Sequence, residues 1–357
     1  MNPEKPYNDL PLLPPNADLE TRCILKACIQ ARAALAQIKE ASSLLPNPSI
    51  LINTIPLLEA KSSSEIENIV TTNDRLFLFA EHQEHADPAT KEALRYRTAL
   101  YEGFQSLKHR PLCMNTAIEI CRIILGVQVD VRKTPGTKLI NSQNREVIYC
   151  PPEGEALLRN LLANLETFIY LEDDVDPLIK MAVIHYQFEA IHPFTDGNGR
   201  TGRILNLLFL IQSNLLEVPI LYLSRYITHH KEQYYELLLE VTTKQSWENW
   251  ICFILHAIEN TANWTMEHVK GIRKLMDQTR ERIRLNRPQI YSKELVEAIF
   301  VQPYCRISYL VDAKIGHRQT ISHYLKQLCE LGILNELRVG REKVFINTQL
   351  MDLLTAH

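Results

Sequence analysis

Apolar residues recur at helical spacing through most of this 357-residue chain and give way to a strand-like pattern in two stretches. Ile24, Cys28, Ala31, Leu35 and Ile38 line one face of a helix over 19–40, and a second helix spans 50–60 after Pro46 and Pro48. Residues 61–70 offer a fresh helix start, because Ser64 and Glu67 stand three apart as in a capping box. Further helical patterns cover 88–109, 115–125, 157–171, 177–191, 205–215, 230–242 and 247–269, and a charged helix over 270–287 reads as a connector. Between 131 and 152 the pattern changes: β-branched residues flank a polar SQNR turn and Pro151-Pro152 ends the second strand, which predicts a hairpin. Residues 307–334 read helix, short turn, helix, and 335–347 read strand, Gly-Arg turn, strand, the order of a winged helix-turn-helix. The expected fold is mainly α: an N-terminal helical region over 1–105, a helical core with one hairpin over 106–268, a connector over 269–288 and a winged helix over 289–357. The first 20 residues are proline-rich and expected to lie extended across the body of the protein.

Composition narrows the functional classes. With 46% hydrophobic and 23% charged residues and a net charge of −3, the chain has the balance of a soluble globular protein. It has no global drive toward nucleic acid or an anionic membrane, so any DNA contact needs a local basic patch. No apolar run approaches the roughly 18 residues that span a bilayer, and the N-terminus lacks the apolar core of a signal peptide. The eight cysteines form no CxxC pair, as expected of reduced core residues in a cytoplasmic protein.

Residues 192–203, HPFTDGNGRTGR, concentrate the chemistry. Pro193 forces a turn after a helix that ends near Ile191. Gly197 and Gly199 bracket Asn198 at the start of the next helix, whose first N–H groups lack intrahelical partners and lie at the positive end of the helix dipole. Such a terminus suits phosphate oxygens. Arg200 and Arg203 add two forked cations, and Asp196 can hold Mg²⁺ on those oxygens. His192, neutral near pH 7, can accept a proton from an attacking hydroxyl. Each part alone has an ordinary structural reading: a histidine cap, a turn, two solvent-facing arginines. Together in one short window they are the parts of phosphoryl or nucleotidyl transfer.

That segment matches the signature of the Fic family, His-x-Phe-x-(Asp/Glu)-Gly-Asn-Gly-Arg-x-x-Arg, at every fixed position, and the resemblance extends over about 10–265. It implies protein adenylylation: transfer of AMP from ATP, with Mg²⁺, to a Tyr, Thr or Ser hydroxyl. By the same resemblance His192 is the base and Asp196 the Mg²⁺ ligand. Gly197, Asn198 and Gly199 form the anion hole, Arg200 supports the phosphates and the loop, and Arg203 grips the γ-phosphate. The hairpin at 137–149 resembles the Fic flap, which holds a protein target by strand addition. Many Fic proteins also carry an inhibitory motif, (Ser/Thr)-x-x-x-Glu-(Gly/Asn), read here as Ser63, Glu67 and Asn68 on a helix expected around 62–72. In the family this glutamate pairs with the second arginine of the signature, here Arg203, and relatives often form homodimers.

The C-terminal module brings His317 and Arg318 to its turn, Thr320, Ser322, His323 and Lys326 to a second helix that starts near Gln319, and Arg338, Arg341 and Lys343 to its wing. Residues 317–343 are basic enough for DNA contacts and equally suited to docking a protein. Two alternatives to an autoinhibited enzyme stand: a DNA-binding regulator that senses nucleotide, in which an intact His192 has no task, and the same fold removing AMP or moving another phosphate-containing group.

Overall fold

The computed structural model describes residues 2–41, 45, 47, 49–140, 145–340 and 342–356. Pro46, Pro48, part of the SQNR turn and Arg341 lie outside the described residues. Among the described residues the helices are α1 (Arg22–Ala41), α2 (Ser49–Ile66), α3 (Asn73–Phe79), α4 (Pro88–Ser106), α5 (Met114–Leu125), α6 (Glu155–Ile169), α7 (Pro177–Ile191) and α8 (Asn198–Gln212). They continue as α9 (Leu223–His229), α10 (Lys231–Lys244), α11 (Trp247–Asn286), α12 (Lys293–Ala298), α13 (Ile307–Asp312), α14 (Arg318–Glu330) and α15 (Thr348–Thr355). The strands are β1 (Leu139–Ile140) and β2 (Val147–Tyr149), paired antiparallel, and β3 (Tyr304–Arg306), β4 (Asn335–Val339) and β5 (Glu342–Ile346), paired in the order β3-β5-β4.

α7 is buried on nearly every side, from Leu178 to Ile191, and α8 is buried from Arg200 to Leu210. This central pair fixes the loop between them. Asp176 caps α7 by accepting from Leu178 N at 2.8 Å, with Pro177 in the first turn. The proline-rich N-terminus crosses this core, held where Gln187 donates to Pro11 O and where Leu13 pairs with Asn164.

Two expectations require correction. The helix placed around 62–72 is the C-terminal end of α2, which runs unbroken through Ser62, Ser63 and Ser64. Ser64 therefore caps nothing at an N-terminus; its carbonyl accepts from Glu67 N and Ile69 N, both at 3.0 Å, and closes the helix instead. Asn68, at φ +62°, supplies the left-handed turn that ends it. The connector over 269–288 is likewise not a separate helix: Val269, Ile272, Met276 and Ile283 continue the buried stripe of α11 without a break.

The C-terminal module forms α13, a turn, α14 and the β4-β5 hairpin, with β3 as a third strand. It docks on the segment that follows α2. Tyr304 donates to Asp74 Oδ1 at 2.5 Å, Arg306 Nη2 to Leu78 O at 2.9 Å, and Gln302 Nε2 to Glu81 Oε1 at 3.1 Å.

Candidate active site

His192 ends α7 in the left-handed conformation, φ 49° and ψ 61°, with its N–H on Phe188 O at 3.0 Å. A non-glycine residue at positive φ needs its surroundings to hold it there. Arg132 does so: its backbone N–H donates to Pro193 O at 2.9 Å and its Nε to His192 O at 2.8 Å. Burial first, and then the Arg132 charge, push the His192 imidazole down to about 4, so the ring is neutral at pH 7 and able to take a proton.

Phe194 is buried and packs edge-on to Phe188. It is also the point the Asn198 side chain grips, accepting from Phe194 N at 2.8 Å and donating to Phe194 O at 2.9 Å. The Asn198 amide thus closes the loop. Gly197 turns into α8 at φ +79°, where a Cβ would also sit 3.3 Å from Cys121 Sγ. The first intrahelical bond runs from Thr201 N to Gly197 O at 2.9 Å, so the N–H groups of Asn198, Gly199 and Arg200 have no helical carbonyl to meet.

The two arginines divide in their surroundings. Arg200 is buried and bridges Glu92 on α4 and Asp196 in the loop, the latter at 3.4 Å. Arg203, 1% exposed, has three acceptors on the end of α2: Ser63 Oγ at 2.8 Å from Nε, and Ser63 O at 2.9 Å and Glu67 Oε1 at 2.8 Å from Nη2. The Glu67 carboxylate also stands over Gly199, where Oε1 would lie 2.3 Å from an added Cβ. Burial pushes the Glu67 carboxyl up. The charge and hydrogen bond of Arg203, with a smaller effect from Arg200, outweigh it and leave the group below the usual carboxylate range. Asn68, beside it, accepts from Lys231 Nζ at 3.1 Å.

The loop and the start of α8 therefore bring together His192, Asp196, Gly197, Asn198, Gly199, Arg200 and Arg203, α2 adds Ser63, and the turn after α2 adds Glu67 and Asn68. Asp196 is the exposed member at 71%; its Oδ1 accepts from Gly197 N at 2.5 Å. Three further residues were not singled out from sequence. Arg132 sits in a stretch with no motif. Glu92 carries its charge on the helix that packs against α5 and α8. Glu189, one turn before His192, lies against Gly202 and faces Arg203, and burial pushes its carboxyl up to about 7.

These features sit on a fold with known relatives. The chain superposes on a Fic family protein from Desulfovibrio desulfuricans with a TM-score of 0.56 at 17% identity, covering 92% of this chain and 96% of that one. It shares the Fic fold. Residues 111–210 match the Fic/DOC family, 25–105 the Fic/DOC family N-terminal region, and 275–350 the C-terminal domain of protein adenylyltransferase SoFic-like proteins. The chain belongs to the Fic/DOC family. Among curated relatives, protein adenylyltransferase Fic of Culex quinquefasciatus is 26% identical over 234 residues, covering 65% of this chain and 41% of that protein. Protein adenylyltransferase fic-1 of Caenorhabditis elegans is 49% identical over 112 residues, covering 30% and 21%. The chain spans less than half the length of the curated relatives it matches.

Proposed function

We propose that this protein is a protein adenylyltransferase, transferring AMP from ATP to a Tyr, Thr or Ser hydroxyl of a target protein and of itself, and that Glu67 on Arg203 restrains it. The observation that carries this reading is a neutral histidine held on a left-handed cap beside a helix N-terminus, with a carboxylate lying where an anion would lie. The substrate hydroxyl attacks the α-phosphorus and gives its proton to His192. The new O–P bond forms as the bond to the β-phosphate breaks, and pyrophosphate leaves. The N–H groups opening α8 meet the phosphate oxygens. Arg203, once free of Glu67, takes the γ-phosphate, and Arg200 keeps the loop in register through Glu92 and Asp196.

The residues fit a Mg²⁺ ion held mainly by the nucleotide. Among the described residues no cluster of three metal-ligating side chains exists, whereas one exposed carboxylate, Asp196, stands at the mouth of the loop. Asp196 would hold Mg²⁺ together with the nucleotide, and the ion would supply charge neutralisation on the phosphates.

Restraint follows from charge: a carboxylate on Arg203 takes the cation meant for the γ-phosphate and repels ATP. The target would lie as an added strand on the flap at 137–149, beside β1, where Ile140 is half exposed. The C-terminal module is read as a winged helix that docks either duplex DNA or a protein partner through 317–343. Salt-sensitive binding to duplex DNA, lost in Arg318→Glu, supports the DNA reading, and absence of binding at low salt removes it. A homodimer fits the family. Among the described residues no helix is long and apolar enough to cross a membrane, and eight free thiols fit the reducing cytoplasm.

The test is transfer of label from ATP carrying a radioactive α-phosphate to wild type, Glu67→Gly, His192→Ala and the double variant. Strong self-labelling of Glu67→Gly, weak labelling of wild type and none without His192 support the reading. Equal labelling of wild type and Glu67→Gly removes the restraint, and labelling that survives His192→Ala removes the base.

A further inference from the structure

We propose that Arg132 is a positioning residue that binds the base of the flap to the His192-Pro193 turn, so that the seat for the target and the proton acceptor are held as one unit. This rests on the adenylyltransferase reading of the site.

Arg132 precedes the hairpin and is 3% exposed, yet no carboxylate pairs with its guanidinium in any hydrogen bond found for it. Its acceptors are all backbone carbonyls. Nε donates to His192 O at 2.8 Å, while Nη2 donates to Pro152 O and reaches Ile191 O at 3.4 Å. Its own N–H donates to Pro193 O at 2.9 Å. One residue therefore touches both ends of the problem. Pro152 closes the flap just beyond β2, and Ile191, His192 and Pro193 are the turn that aims the imidazole. A second tie runs parallel to it, from Tyr149 Oη at the end of β2 to Ala190 O at 2.9 Å.

A buried guanidinium whose hydrogen bonds go to carbonyls is costly to keep charged: burial depresses Arg132, and the charge of nearby Glu153 offsets this only in part. An uncharged side chain of similar length would hold the turn at less cost for stability alone. The positive charge has a use at this spot: it faces His192, where it opposes protonation of the ring. The other charged groups facing His192, Glu67 from the turn after α2 and Asp196 from the loop, act in the opposite sense. Planarity has a use as well. Only a fork reaches the strand side and the turn side together, which a lysine ammonium on one stem does not.

The experiment compares Arg132→Gln and Arg132→Lys, each placed in the Glu67→Gly protein, with Glu67→Gly alone. Three readouts are taken: ATP affinity by calorimetry, the turnover rate and target KM for α-phosphate label transfer, and hydrogen–deuterium exchange of 130–140 and 190–196. The expected result is ATP affinity within about twofold of the parent and turnover reduced by roughly 10²-fold for Arg132→Gln. Target KM rises, and faster exchange appears in both segments together. Arg132→Lys recovers part of the turnover without restoring protection. A fall in ATP affinity that matches the fall in turnover shows a general structural defect and overturns the proposal, as does unchanged exchange in 190–196. If Glu67→Gly binds ATP but transfers no label, the adenylyltransferase reading fails on that control, and the exchange data still decide whether Arg132 couples flap and turn.

Discussion

Ser63 offers Arg203 two of its three acceptors, one of them a side-chain hydroxyl, and Glu67 offers the third. Removing the hydroxyl leaves the backbone acceptor and the carboxylate in place. Ser63→Ala is therefore expected to raise self-labelling above wild type but well below Glu67→Gly, measured in the same gel. His192 sets the response to pH. Its imidazole titrates near 6.5 when unfolded and is pushed down to about 4 in the fold. The unfolded chain thus takes up a proton first: this contribution to stability is whole above pH 6.5 and is lost as pH falls toward 4, at most about 3 kcal/mol. His185, buried against Tyr234 and pushed down to about 3, acts in the same sense. Denaturant titrations between pH 7 and 4 are expected to show a shallower decline for His192→Ala than for wild type; His185, His268 and Glu67, all pushed down in the fold, contribute to the decline that remains. These residues differ in legibility. His192, Asp196 and the glycines follow from local chain chemistry and a long motif. Arg132 and Glu189 do not, because what makes them special is the burial and the company that tertiary packing gives them.

At the scale of elements, the end of α2 explains why a residue such as Asn follows Glu67. Asn68 stands at φ +62°, a conformation glycine and asparagine adopt with least strain, and the turn it makes places Glu67 over Gly199. Asn68→Gly is expected to keep the restraint. Asn68→Ala costs about 1 kcal/mol and raises self-labelling, which thermal denaturation and the label assay check together. The sequence pattern suggested a new helix at Ser64, because a serine three residues before a glutamate has the same local grammar at either end of a helix. Long-range burial of Ser62, Ser63 and Ser64 decides between them. The same limit applied to α11, where charge density suggested a break that buried Ile272, Met276 and Ile283 do not allow. α7 is the reverse case, legible from Pro177 and a long apolar run, whereas the apolar pattern read for α8 begins at 205, seven residues after the helix starts at Asn198. Their close approach rests on Gly202, where a Cβ would meet Glu189 Oε1 at 2.5 Å and Phe188 at 3.1 Å. Gly202→Ala is expected to cost about 1–3 kcal/mol in denaturant unfolding.

Across the whole molecule, the C-terminal module reaches back to α3, which begins shortly after Asn68. The order helix, turn, helix, hairpin was legible in sequence; the module's docking place was not, because Tyr304, Arg306 and Gln302 find their partners more than two hundred residues earlier. Tyr304→Phe combined with Arg306→Ala is expected to speed hydrogen exchange in α3 and to raise basal self-labelling, though less than Glu67→Gly does. Unchanged exchange in α3 would show that these ties do not hold the segment. The account as a whole turns on which phosphate stays with the protein. The Glu67→Gly protein incubated with ATP labelled either at the α- or at the γ-phosphate, followed by intact-mass analysis, decides it. Retention of the α-label with an AMP-sized mass gain, loss of the γ-label and dependence on His192 are predicted. Retention of the γ-label, or a phosphate-sized gain, would contradict nucleotidyl transfer and with it the roles assigned to His192, Arg203 and Glu67.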